Sequence, residues 1–233
     1  MTLVKYTSIE IRENGEELVD VSTLGLLVQP QYYQQGFSTD PKVYLRKETA
    51  KKLLDVQNSL GNLRLKIRDA YRSRDVQNNI YQKYRADSVK QHPDRDEEKL
   101  KMEVGKFVSP PYQTERIPPH ATWGTVDLTL VDEQGNELDM GTEFDFFGPE
   151  ASPFYFEIYR NKPEVTQNRK LLHDAMLAAW FTLDEDEWRH FDWGNQMRAL
   201  KSGKPFAFYG EANPLPPGAD KPGSRSEIID HCS

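Results

Sequence analysis

Residues 118–132 read PPHATWGTVDLTLVD, and their pattern decides the kind of fold this chain adopts. Val126, Leu128 and Leu130 alternate with Asp127 and Thr129, the period-two pattern of a strand with its apolar face on a core. Asp127 then falls on the other face, flanked by apolar neighbours. A carboxylate in such a place is paired or bound to a cation, because burying it bare is costly. His120 lies seven residues before Asp127, an odd offset that would put the two side chains on opposite faces of one straight strand. For both to reach a common point the chain has to bend between them, and Gly124 can supply the bend.

Outward from this strand, helix and strand signals mix. Residues 48–60 carry Ala50, Leu53, Leu54 and Leu60 at helical spacing, with Gly61 placed to end the helix. Residues 63–67, LRLKI, alternate apolar and basic as a half-buried strand does. A second helix is predicted over 75–90, with Val76, Ile80, Tyr81 and Tyr84 inward, and 92–96 reads as an exposed loop. A third is predicted over 168–180, capped by Asn168 and buried through Leu171, Leu172, Ala175, Met176 and Ala179. This order lacks βαβ regularity and a Gly-rich phosphate loop. It predicts a single α+β domain, a central, mostly antiparallel sheet with helices packed against it. The domain is expected over 1–210, with a Pro/Gly-rich tail over 211–233.

The chain has 233 residues, 29% of them charged, and a formal net charge of -7. No apolar run approaches the length of a bilayer span, and no basic stripe with interleaved aromatics marks a nucleic-acid partner, so neither membrane nor nucleic acid is expected. The first twenty residues show neither a basic nor an apolar signal region. The lone Cys232 cannot form an internal disulfide, and a cytoplasmic location is the expectation.

A second segment, residues 184–194, DEDEWRHFDWG, adds Glu187 and His190. His120, Asp127 and His190 are two imidazoles and one carboxylate, the three protein ligands of a catalytic zinc whose fourth position stays open. Glu187, three residues before a ligand, is a carboxylate within reach of an activated water's proton. The E-x-x-H spacing fits one face of a helix, while its aromatic neighbours Trp188, Phe191 and Trp193 equally suit a strand. His92 and His231 have polar loop neighbours and read as solvated, His173 as a surface or packing residue, and 184–186 as a solvated acidic turn.

From about residue 31 to 210 the chain resembles the D-alanyl-D-alanine dipeptidases of the VanX type, a branch of the zinc D-Ala-D-Ala metallopeptidases. The likeness is carried by HATWGTVD at 120–127, DLTL at 127–130, MGTEFDFFG at 140–148, NRKLL at 168–172 and EWRH at 187–190. Upstream, DAYR at 69–72 matches the family's D-x-Y-R-P, with Ser73 where proline is usual. The resemblance implies one zinc per chain on His120, Asp127 and His190. It further implies Glu187 as acid/base, Arg72 as the cation facing the scissile carbonyl and Asp145 as the group holding the substrate's free ammonium. Tyr32 or Tyr33 would line the pocket. The departures are Pro118 for Ser, Trp123 for Gly, Thr125 for Ala and Arg189 for the second Trp of E-W-W-H. Trp123 and Arg189 flank the ligands and so bear on substrate identity, unless Arg189 faces solvent or stacks on Trp123 or Trp188.

The expected function is therefore a zinc dipeptidase acting on D-Ala-D-Ala or a similar small D-configured dipeptide, a small-molecule partner. Two alternatives stand beside it. One is a carboxypeptidase or endopeptidase of peptidoglycan peptides, which Asp145 argues against because an internal peptide nitrogen has no charge to pair with it. The other is a zinc-binding relative without catalysis, which has no need of Glu187 or Arg72.

Overall fold

The alternation at 126–131 forms the central strand of a five-stranded sheet. A computed structural model describes residues 8–108, 110, 117–146 and 148–211. In chain order, β1 (Glu10–Ile11), β2 (Leu18–Asp20), a 3-10 turn (Val21–Leu24) and β3 (Leu27–Val28) lead to the short helix α1 (Gln31–Gln34). Next, β4 (Tyr44–Arg46) runs directly into α2 (Lys47–Ser59), and β5 (Arg64–Asp69) is followed by α3 (Arg74–Gln91) and α4 (Glu97–Phe107). A 3-10 turn (Pro119–Thr122) precedes β6 (Thr125–Val131). After a long loop come α5 (Tyr155–Tyr159), α6 (Pro163–Ala178), β7 (Thr182–Leu183), β8 (His190–Asp192), α7 (Gln196–Lys201) and β9 (Phe206–Ala207).

The main sheet has the order β3-β5-β6-β8-β7, with β3 and β5 parallel and every other pair antiparallel. This is the α+β architecture that the order of elements predicts. Leu65, Ile67, Val126, Leu128, Leu130 and Phe191 of the sheet pack with Leu53 and Val56 of α2 and Leu172 and Met176 of α6. Each of these side chains removed from water contributes about 1.5–3 kcal/mol, so this layer carries the stability of the sheet. A second apolar cluster joins Tyr32 of α1 to Val76, Ile80 and Tyr81 of α3 and to Val104 and Val108 at the end of α4. All seven positions of β6 are buried, on both faces, which makes any charge on the strand expensive unless it is matched.

Three expectations are corrected. The helix expected from residue 168 begins five residues earlier, at Pro163, whose fixed φ suits a first helical position. Asn168 is interior to it and donates to the Asp139 carbonyl at 3.0 Å. Leu171 is 43% exposed, because the buried stripe runs through Val165, Arg169, Leu172, His173 and Met176. The helix α4 was not expected at all: Leu100 and Val104 are its buried apolar residues in a run of charges, and it is started by Asp96, whose carboxylate accepts from the Lys99 amide at 2.9 Å. Ser73 caps α3 by accepting from the Val76 amide at 3.2 Å, a reason for serine at that position. The tail over 212–233, with His231 and Cys232, lies outside the described residues.

Candidate active site

A β-bulge builds the site. Along β5, Ile67 lies opposite Leu128 but Asp69 lies opposite Asp127, so Arg68 has no partner on β6. Residues two apart on a regular strand share a face; the extra residue puts Ile67 on the core side and Asp69 on the side of Asp127. On the far edge of β6, His190 is the register partner of Asp127. Asp69, Asp127 and His190 therefore stand in a row across three strands.

His120 arrives from the 3-10 turn, and the bend before β6 is made differently from expectation. Trp123 takes the left-handed conformation, with φ 62°, at the end of the turn. Gly124 serves close approach instead: a Cβ there would lie 2.2 Å from the Trp193 carbonyl oxygen and 2.7 Å from the Tyr209 ring.

His120, Asp127 and His190 each present a ligand atom, and the three atoms lie within 4.8 Å of one another, the one such group among the described residues. The outer nitrogen of each ring is occupied. His120 Nδ1–H donates to the Ala70 carbonyl at 2.6 Å and lies 3.2 Å from Asp69 Oδ2, which leaves Nε2 as its lone-pair atom. His190 Nε2 lies 3.4 Å from Asp192 Oδ1, leaving Nδ1 toward Asp127. Asp127 Oδ1 is buried without a well-formed hydrogen bond among the described residues, with His190 Nδ1 3.1 Å away. Three ligand-type atoms so close together, with the outer ring nitrogens engaged elsewhere, fit a cation, and two imidazoles with one carboxylate are a zinc donor set. Burial works against charge on Asp127, but the two histidines reverse this and hold its carboxyl well below the usual range.

Asp192 is fully buried and receives Thr125 Oγ1 at 2.8 Å and Asn195 Nδ2 at 2.6 Å. Sequence reasoning missed this trio. The signal was present in H-F-D, because two residues on a strand share a face. Thr125, one of the departures from the family pattern, thus acts behind His190.

Arg72, 7% exposed, is held on every side. Its Nε and Nη2 donate to Asp69 at 3.1 and 2.7 Å, Nη1 donates to Gln77 at 2.9 Å, and the Tyr32 ring stacks 4.5 Å from the guanidinium carbon. Nη2 is 3.7 Å from Asp127 Oδ2, which brings this charge to the edge of the ligand group. Gln77 is a further residue that the sequence reading did not single out, and Asp69, read there only as the first residue of DAYR, is the carboxylate that holds Arg72.

Glu187 and His190 are joined by a turn, His190 N–H to the Glu187 carbonyl at 3.2 Å, and His190 then opens β8; the spacing is not helical. Glu187 is buried, and burial raises its pKa above the usual value while Arg189 opposes the rise. Arg189 neither faces solvent nor stacks on Trp123 or Trp188. It is 2% exposed, its Nη2 is 3.2 Å from Glu187 and 3.7 Å from Asp145, and it lies 4.9 Å from the Phe144 ring centre. Asp145 also accepts from Tyr32 Oη at 3.1 Å and Gln35 Nε2 at 3.4 Å.

Two expected pocket residues lie apart. Trp123 is fully buried, stacked on Tyr71 with 3.7 Å between ring centres and edge-on to Tyr44, so its indole fills a separate aromatic cluster. Tyr33, beside Tyr32 on α1, is 43% exposed, since neighbours on a helix point in different directions.

The loop carrying Asp145 is clamped to α6. Arg169, 1% exposed, donates to the carbonyls of Met140, Ser152 and Glu150 at 2.8, 2.7 and 2.8 Å, gripping both ends of the loop. Trp188 ties the same loop by Nε1 to Thr142 Oγ1 at 2.9 Å, and His173 Nε2–H donates to the Trp188 carbonyl at 3.1 Å. His173 is therefore a packing residue, and burial lowers its pKa to about 4. Replacing Arg169 by methionine strands buried carbonyls and is expected to cost about 3 kcal/mol of stability. Urea unfolding checks this, and a midpoint equal to that of the wild type would remove the clamp.

Three convergent ligand-type side chains with a buried carboxylate and a buried guanidinium beside them are the make-up of a hydrolytic site. Residues 34–207 match the Peptidase_M15 family, described as D-ala-D-ala dipeptidase, and the chain belongs to that family. A D-alanyl-D-alanine dipeptidase of Synechocystis sp. is 27% identical over 221 residues, covering 84% of this chain and 90% of the relative. One from Escherichia coli K12 is 36% identical over 73 residues, 31% of this chain and 36% of its own length. Among solved structures, VanYB in complex with D-Ala-D-Ala has a TM-score of 0.42 at 12% identity, covering 70% of this chain and 80% of its own. A Zn(II) complex of the vancomycin-resistance D,D-pentapeptidase VanY has a TM-score of 0.45 at 12% identity, covering 85% and 96%.

Proposed function

We propose that this chain is a zinc-dependent dipeptidase that hydrolyses D-Ala-D-Ala or a similar small D-configured dipeptide, with one zinc per chain. The observation that carries the reading is the convergence of His120, Asp127 and His190 within 4.8 Å, with Glu187 and Arg72 buried alongside. Those three side chains would hold the metal, His120 through Nε2 and His190 through Nδ1. Bound there, zinc supplies a Lewis acid that makes a water nucleophilic near neutral pH.

The rest of the chemistry belongs to the side chains. Glu187 accepts the proton of the attacking water and returns it to the leaving amine, and its raised pKa suits a group that must both take and give a proton. Arg72, with its fork fixed by Asp69 and Gln77, faces the carbonyl oxygen as negative charge develops on it. Preorganisation matters here, because a guanidinium already locked in place needs no reorganisation during the reaction. Asp145 takes the substrate's free ammonium, with Tyr32 steadying the carboxylate. Action on a free dipeptide in the cytoplasm is part of the same proposal; among the described residues no helix is long and apolar enough to cross a membrane.

A panel of D,D-, L,D- and L,L-dipeptides, with N-acetyl-D-Ala-D-Ala added, tests the reading by amine release. The D,D-dipeptides are expected to be cleaved and the acetylated one left intact. Cleavage of the acetylated substrate at an equal rate would favour a peptidase of cell-wall peptides. Failure to cleave any D,D-dipeptide would end the proposal.

A further inference from the structure

The two buried guanidinium groups of the site differ in one respect. Arg72 has its Nε and both terminal nitrogens bonded to Asp69 and Gln77. Arg189 approaches Glu187 and Asp145 with Nη2 alone, while its Nε and Nη1 are buried and meet no acceptor among the described residues. The Phe144 ring, 4.9 Å from the guanidinium carbon, lies against this charge and offers none of its N–H groups an oxygen. Buried N–H donors of a charged group call for an anionic or carbonyl acceptor. On its other side Asp145, with a side chain 14% exposed, opens into a cavity of about 790 Å³ lined by Tyr84, Phe146 and Ser152, among others.

The pairing of Asp145 with Arg189 also changes what this end of the pocket selects. A substrate ammonium at Asp145 stands close to a permanent positive charge, which weakens its binding when the substrate residue is otherwise neutral. A residue carrying both an ammonium and a side-chain carboxylate answers both: its cation faces Asp145 and its anion faces Arg189. An ion pair in the pocket is then met by an ion pair on the ligand. We propose that Arg189 is a specificity-determining residue that binds the side-chain carboxylate of an acidic N-terminal residue, so that the preferred substrates are dipeptides of the D-glutamyl or D-aspartyl class. This rests on the reading above for the placing of the ammonium at Asp145.

The test compares D-Glu-D-Ala with its isostere D-Gln-D-Ala on the zinc-loaded full chain, with D-Ala-D-Ala alongside. In the wild type kcat/KM is expected to favour the glutamyl substrate by at least about tenfold, the worth of a charge-assisted contact. In Arg189→Gln and Arg189→Trp the ratio is expected to fall to about one. If no D,D-dipeptide is cleaved, the dipeptidase reading fails, and calorimetric binding of the same intact pair to the wild type reads Arg189 directly. A ratio near one in the wild type, by turnover or by binding, overturns the proposal, as does a ratio that survives both substitutions. Should both variants fail to fold, the wild-type ratio alone decides.

Discussion

Glu187→Gln is expected to keep its zinc and lose between about two and four powers of ten in kcat, the contribution of a positioned acid/base. The amide preserves shape and volume but cannot accept a proton, and none of the three proposed ligand atoms is touched. The substitution also removes the nearest of the carboxylates around Arg189, leaving Asp145 at 3.7 Å as its ion-pair partner among the described residues, so a lower melting temperature accompanies it. Measuring kcat well below that melting point separates the chemistry from the fold. Near-normal turnover would remove Glu187 from the mechanism and leave the turn that presents it without a catalytic purpose.

The second large effect concerns the metal. Purified protein is expected to hold about one zinc per chain, and His120→Ala and His190→Ala are expected to hold almost none, because two donors leave an open shell that water fills poorly. A graded result is expected one shell out. Asp192 lies 3.4 Å from His190 Nε2 and is itself fixed by Thr125 and Asn195, so Asp192→Asn should weaken zinc affinity by about 10- to 100-fold and not abolish it. Competition with a chromogenic chelator gives both numbers. Zinc at the wild-type level in the two histidine variants would sink the ligand assignment.

Period alone placed one residue of this site, and the roles expected of Arg72 and Asp145 came from the family resemblance. The alternation at 126–131 places Asp127 opposite the core face, and nothing in the structure alters that. The spacing of Glu187 and His190 was ambiguous for a physical reason: three residues separate neighbours on a helix and also the ends of a hydrogen-bonded turn, and local sequence does not choose between them. Asp192 was readable once His190 is taken as a strand residue. Arg169 was not, because its three partners are backbone carbonyls, which carry no residue identity. Nor was the setting of Arg189, whose neighbours Asp145 and Phe144 are more than forty positions away in the chain. The helix α4 escaped because its apolar stripe is too thin to stand out among its charges.

The unpartnered residue on β5 has a consequence for how chains of this kind can vary in length. Between Ile67 and Asp69 the strand holds one residue more than the ladder needs. A chain lacking a residue at position 68 still presents an aspartate opposite Asp127, and gives up the hydrogen bond from Arg68 to Gln31, 3.0 Å long, together with its ion pair to Glu137. A chain shortened anywhere from 65 to 67 keeps the extra residue and turns the preceding side chains over, so that a basic group replaces an aliphatic one against α2 and α6. Gaps in this strand are therefore not equivalent: one position absorbs a deletion without moving the row of Asp69, Asp127 and His190, and its neighbours do not.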